Sequence, residues 1–134
     1  MNYLVLTLAF LVIVVLIYKL WKPVLTPKQK VPAGEARFYF FYTNWCGFSQ
    51  KAMPVWEEVE KALAKTPYFG RTKVIPVKID CEKDVKTCTL YEVDAYPVMK
   101  LETKDGLYDY VGTRSVDALL SFLRSSLGKE SESL

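Results

Sequence analysis

Cys46 is the residue of this chain best placed to do chemistry. It stands in Trp45-Cys46-Gly47-Phe48-Ser49, which two residues separate from the apolar run Phe38-Tyr39-Phe40-Phe41-Tyr42, and at the start of a helical pattern. A buried strand that delivers a cysteine to the start of a helix makes a recognisable thiol site. The first turn of a helix has free N–H groups and the positive end of the dipole, and both favour thiolate over thiol. The thiolate is the species that attacks a disulfide. In a Cys-x-x-Cys dithiol the second thiol would follow three residues on, and that position holds Ser49. A site of this kind can open a disulfide but cannot resolve the resulting mixed disulfide with a neighbouring thiol. The competing reading is a buried, inert cysteine in a retired site.

Composition narrows the field around Cys46. The 134 residues contain no His, which removes the usual general base and excludes Cys-His and Ser-His nucleophile schemes. Three Cys cannot all pair within one chain, so at least one thiol is left over, and no metal site or other cofactor is expected from so few ligands. The net charge of +3 comes with no Lys/Arg block, so nucleic acid is not an expected partner.

The elements that must position Cys46 can be placed by periodicity. Phe38 to Thr43 reads as a fully buried strand. Phe48 to Lys65 reads as a helix with Met53, Val55, Trp56, Val59, Ala62 and Leu63 on its apolar side and a kink at Pro54. Lys73 to Asp80 alternates as a strand, and Lys83 to Tyr91 makes a short helix. Pro97 to Glu102 and Tyr108 to Val111 are strands joined around Lys104-Asp105-Gly106. Ser115 caps a last amphipathic helix that Gly128 stops. The order β-α-β-α-β-β-α predicts an α/β fold with a four-stranded mixed sheet and helices on both faces.

Ahead of this domain, residues 3–21 are apolar but for Thr7 and Lys19, a length of roughly 28 Å at the helical rise, with Tyr3, Tyr18 and Trp21 placed as interfacial aromatics. This predicts a single transmembrane helix. A cleavable signal peptide is the rival, but no basic residue precedes the run and no small-x-small site follows it. Residues 22–34, with Pro23, Pro27 and Pro32, read as a linker, 35–127 as the domain and 128–134 as a disordered tail.

Three further groups have two readings each. Tyr96-Pro97 is either a cis peptide offering the Tyr96 backbone to an extended polypeptide, or a strand-initiating trans proline. Cys81 and Cys88 form a disulfide, two free thiols or a redox pair without Cys-x-x-Cys spacing. Tyr42, Trp45, Phe48 and Tyr96 make either a platform for a peptide beside Cys46 or plain core, with Phe48 the one expected to be exposed.

Read together, these residues resemble the thioredoxin fold, and within it a protein disulfide isomerase-like domain, over nearly all of 35–127. Trp45-Cys46-Gly47 followed by Pro54 is similar to the family's active-site strand and helix. The segment from Tyr91 to Pro97 is similar to the one ending in its cis-proline, and Tyr110-Val111-Gly112-Thr113-Arg114 to its Tyr-x-Gly-x-Arg stretch. The resemblance implies a structural disulfide between Cys81 and Cys88, Cys46 as nucleophile, and a substrate-binding rim of Trp45, Gly47, Phe48, Tyr96 and cis-Pro97. It also exposes departures. The family's first strand and helix have no room here, so a minimal version of the fold is expected. The buried acid six residues before the nucleophile is Phe40, Lys78 has lost that acid as its partner, and Arg114 has no second thiol to tune.

Three functions follow as expectations. The first is a membrane-anchored monothiol disulfide-exchange protein, an isomerase or thiol-capture factor, whose partners are protein clients with thiols or disulfides and an external thiol that releases them. The second is a catalytically degenerate docking module on a membrane, by analogy a component of a virus particle. The third is a monothiol glutaredoxin, because Cys46-Gly47-Phe48-Ser49 is that family's tetrapeptide. It would need glutathione and an iron–sulfur cluster, and the Gly-Gly-x-Asp stretch expected after the hairpin is absent. For compartment, the isomerase resemblance and a disulfide point to the endoplasmic reticulum lumen. Lys19, Lys22, Lys28 and Lys30 after the apolar run point instead to a cytoplasm-facing or virion-membrane domain.

Overall fold

The computed structural model describes residues 2–20, 31–128 and 130–131. The chain divides into two compact units, residues 1–30 and 31–134. The first contains α1 (Tyr3–Leu20), whose described side chains, 3–18, are all exposed. Among the described residues no helix is long and apolar enough to cross a membrane. The stretch of α1 with described side chains covers about 24 Å of a hydrocarbon layer of about 30 Å. The far end of the expected 3–21 span, and most of the 22–34 linker, lie outside the described residues.

The second unit is a mixed sheet between helices. Its strands are β1 (Glu35–Tyr42), β2 (Tyr68–Phe69), β3 (Thr72–Asp80), β4 (Val98–Glu102), β5 (Leu107–Asp109) and β6 (Glu130–Ser131), in the spatial order β5-β4-β1-β3-β2-β6. The helices are α2 (Gly47–Lys65), α3 (Val85–Leu90) and α4 (Val116–Leu127). β1 is the centre. It runs parallel to β3 along its whole length, from Glu35 opposite Lys73 to Tyr42 opposite Asp80, and antiparallel to β4.

This position explains why its sequence does not alternate. Ala36, Phe38 and Phe40 are buried on one face with Trp56, Val59 and Leu63 of α2 and Leu119 and Leu123 of α4. Tyr39 and Phe41 are buried on the other with Cys81, Cys88 and Tyr91. A strand covered on both sides reads as a continuous apolar run. The second face also buries a carboxylate: the Tyr39 and Tyr91 hydroxyls donate to Glu102 Oε2 at 3.0 and 2.8 Å. Burial pushes both phenols up from their ordinary range, so they stay neutral donors.

The four-stranded sheet expected from the sequence, β5-β4-β1-β3, forms one side of a six-stranded one, which β2 and β6 extend beyond β3. Strands β2 and β6 have two residues each, too few for any period to register. Within the stretch read as a tail, Ser131 and Glu130 pair with Tyr68 and Phe69. Glycine makes this return feasible. Gly70 has φ +60°, and a Cβ on it would lie 2.8 Å from the Leu127 carbonyl, so the β2–β3 turn closes directly on the end of α4. Gly128, at φ +109°, then turns the chain back.

Elsewhere boundaries move by a few residues. β1 starts at Glu35 and α3 is shorter, capped by Asp84, which accepts from the Thr87 N–H at 3.0 Å. α2 continues through Pro54. Ser115 caps α4 as expected, accepting from Ala118 N–H at 3.3 Å.

Cys81 and Cys88 are bonded and both buried, tying the end of β3 to α3. Closing so short a loop restricts the unfolded chain, and Cys81→Ala/Cys88→Ala is expected to cost about 2–3 kcal/mol. Denaturant unfolding of the oxidised protein and the double variant checks this. Equal midpoints would show that the bond adds nothing.

Candidate functional site

The site lies at the C-terminal end of β1, where the chain leaves the sheet for α2. Cys46 is the N-cap of α2, with extended backbone (φ −82°, ψ 117°), and its carbonyl accepts the first helical bond from Gln50 N–H at 3.0 Å. Its thiol is free, partly exposed, and 3.5 Å from the Tyr96 carbonyl, to which it donates. Tyr96-Pro97 is a cis peptide. Arg114 Nη2 donates to the next carbonyl, Pro97 O, at 3.3 Å. Segments some 50 and 68 residues away in sequence thus meet at one sulfur.

The thiol is held below the ordinary range. The Ser49 backbone N–H is the largest cause. Burial, the second largest effect, opposes it, while the Ser49 hydroxyl, the Phe48 N–H and the Arg114 charge act in the same direction as the Ser49 N–H. The helix N-terminus supplies what the sequence suggested, and Arg114 adds a charge. The lower pKa raises the thiolate fraction at neutral pH. Cys46 alkylation by iodoacetamide is therefore expected to rise with pH through a midpoint below that of free cysteine. Ser49→Ala and Arg114→Gln should each move the midpoint up. A wild-type midpoint at or above that of free cysteine would contradict this assignment.

Ser49 is buried at 1% exposure, beneath Cys46, and its hydroxyl accepts from Thr43 N–H at 3.4 Å. Phe40, below it, is fully buried and stacked on Trp56 and Tyr42, with centroids 5.1 and 5.5 Å apart. The position expected to hold an acid is thus apolar core. Lys78, opposite Phe40 in the sheet register, is exposed. Losing a buried acid therefore leaves no buried cation behind, which removes the main cost of the replacement.

Around the sulfur the rim is apolar. Trp45 and Phe48 are 68% and 67% exposed, and Trp45 meets Tyr96 edge-on at 6.0 Å. Gly47 is exposed beside Cys46 and Pro97 is buried. Tyr42, expected as part of this platform, is half-buried and packs on the core through Phe40.

A polar clamp behind the site has no counterpart in the sequence reading. Asn44 N–H donates to Glu82 Oε2 at 2.6 Å, Asn44 Nδ2 donates to Asp80 Oδ2 at 3.1 Å, and the Asn44 carbonyl accepts from Gln50 Nε2 at 2.7 Å. The loop before Cys46 is thereby tied to the loop that carries the disulfide. The only sequence signal was Asn44 itself, a turn residue between strand and helix.

The sequence model of the family described as "Thioredoxin" matches residues 30–125. This chain belongs to the thioredoxin family. The thioredoxin domain is 37% identical over 98 residues to protein disulfide-isomerase 1 of Dictyostelium discoideum, covering 71% of this chain and 26% of that protein. It is 33% identical over 87 residues to endoplasmic reticulum resident protein 44 of Mus musculus, covering 63% of this chain and 21% of that protein. Among solved structures, crystalline human ERp44 superposes with a TM-score of 0.60 at 28% identity, over 69% of this chain and 27% of that one. The chain thus spans about a quarter of the length of these relatives. The likeness lies in one thioredoxin domain, of the isomerase kind that the sequence resembled.

Proposed function

We propose that this protein is a monothiol disulfide-exchange factor that captures client polypeptides. The observation that carries the reading is the pairing of an activated Cys46 with a buried hydroxyl, Ser49, where a resolving thiol would stand. The Cys46 thiolate attacks a client disulfide. A new bond forms between Cys46 Sγ and one client sulfur, and the other client sulfur leaves as a thiolate and takes up a proton from water. With Ser49 unable to break that bond, an external thiol attacks the Cys46 sulfur, the client leaves as a thiolate that takes up a proton, and a second external thiol (another molecule, or the other half of a dithiol) frees Cys46, so that the two external thiols end as a disulfide. Trp45, Phe48 and the Tyr96 backbone are the surfaces that would hold an extended client. Such a factor isomerises or retains clients better than it oxidises them.

The test is mixed-disulfide trapping with wild type and Cys46→Ala on non-reducing gels with mass spectrometry. Adducts that are present in wild type and vanish in Cys46→Ala support the reading. No adducts, with Cys46 unreactive at neutral pH, would overturn it and leave a docking module.

The compartment we infer is the endoplasmic reticulum lumen, with the chain held to the membrane by its N-terminal helix. Support comes from the Cys81–Cys88 bond, from relatives named as endoplasmic reticulum resident, and from the apolar residues of α1 together with Tyr18 and Trp21. The Lys residues that follow would favour the opposite orientation. Alkaline extraction and protease protection of microsomes decide both points: release into the supernatant argues against the anchor, and cleavage of the domain in intact vesicles argues against the lumen.

A further inference from the structure

Tyr96, whose carbonyl accepts from the Cys46 thiol, also lines a pocket of about 340 Å³ between the Tyr96-Pro97 segment and the loop from Tyr110 to Arg114. Among the described residues lining it, Arg114 is the one that carries a charge, beside Tyr96, Pro97, Tyr110, Val111 and others that carry none. Arg114 is exposed, and among the described residues no ion pair involves it. It is nevertheless fixed. Its Nη2 is bound to Pro97 O, and the guanidinium keeps other N–H donors for a ligand. The loop carrying it is closed by Tyr110 Oη, which donates to Thr113 O at 2.6 Å. Gly112 keeps room for that bond, since a Cβ there would lie 2.8 Å from Tyr110 Oη. Val111, at 92% exposure, stands at the outer rim.

The pocket starts one peptide from the reacting sulfur, because Cys46 Sγ touches Tyr96 O and Arg114 holds Pro97 O. An extended client advances about 3.3 Å per residue. A side chain one or two residues from the client cysteine therefore reaches the pocket. An uncharged cleft with a single fixed guanidinium favours a carboxylate there, which Arg can bind with two parallel hydrogen bonds.

We propose that Arg114 makes this pocket a carboxylate-reading subsite, so that the preferred clients carry Asp or Glu within two residues of the captured cysteine. The inference deepens the disulfide-exchange reading and rests on it for the client. An ion pair at an exposed site is modest and screened by salt, so the expected preference is about three- to five-fold.

The probes are synthetic peptides alike except for Glu or Gln two residues from a single Cys, activated as 2-pyridyl disulfides. The Cys46 thiolate attacks the peptide sulfur, the protein–peptide disulfide forms, and the displaced sulfur leaves as pyridine-2-thione, whose absorbance gives the rate. The full chain in detergent should react about three to five times faster with the Glu peptide at low salt. That ratio should fall towards one in Arg114→Gln and in high salt, and Arg114→Lys should keep part of it. Using the ratio within each variant removes the effect of Arg114 on the thiol itself. Equal rates in wild type, or a preference that persists in Arg114→Gln, would overturn the proposal. If neither peptide reacts, the exchange reading fails. The same peptides with Ser in place of Cys, titrated against Trp fluorescence, then decide the subsite on its own: a Glu preference dependent on Arg114 supports it, and equal affinities overturn it.

Discussion

Ser49→Cys is expected to shorten the life of every mixed disulfide on Cys46 by roughly 100-fold or more. On the proposed exchange reading, the wild-type adduct waits for an external thiol at roughly millimolar concentration or below. A thiol introduced at the buried position beneath Cys46 attacks from within, and well-oriented intramolecular groups act at effective concentrations far above that. Position 49 suits it, since the buried Ser49 side chain already acts on the Cys46 thiol and lowers its pKa. The gain has a ceiling set by Phe40. With an aromatic ring where an acid would take the proton, the introduced thiol forms its thiolate with little help. The measurement is the decay of a trapped adduct after the external thiol is removed, read on non-reducing gels. Adducts that persist as in wild type would show that residue 49 is not poised towards Cys46.

Phe40→Ala is expected to remove about 3–5 kcal/mol of stability. The ring is fully buried in the strand at the centre of the sheet, and deleting it leaves a cavity between β1 and α2. Its stacking on Trp56 and Tyr42 is lost as well. For a domain of this size the melting temperature should fall by at least about 12 °C, and Phe40→Leu should cost far less. Thermal unfolding of the full chain in detergent checks both. A small loss in Phe40→Ala would mean that the ring merely fills the place of an acid instead of holding α2 on the sheet.

The sequence carried the thiol site well because its signals are local. Strand, cysteine and helix follow one another within Phe38 to Lys65, and a helix start donates N–H groups whatever packs around it. The β4–β5 hairpin, the Ser115 cap and the Gly128 stop were legible for the same reason, since each rests on residue types that favour one backbone conformation. Strands β2 and β6 were not legible. Two residues carry no period, and their pairing depends on the close approach of Gly70 to Leu127. The Asn44 clamp and the partners of Glu102 were hidden too, because each joins residues from separate elements.

Arg114 shows where the division falls. With no second thiol at position 49, the sequence left this arginine without a task. Packing brings the loop after β5 against Pro97, and so places its charge beside Cys46. Local sequence is enough to set the kind of chemistry: a thiol at a helix start, with no His in the chain and Ser49 where a resolving thiol would stand. The pairing of the other two cysteines, the tuning of Cys46 and its surroundings depend on tertiary packing. The reason is physical: a helix N-terminus is made by neighbours in the chain, whereas a charge and a pocket beside the sulfur are made by segments that meet only when the sheet is assembled.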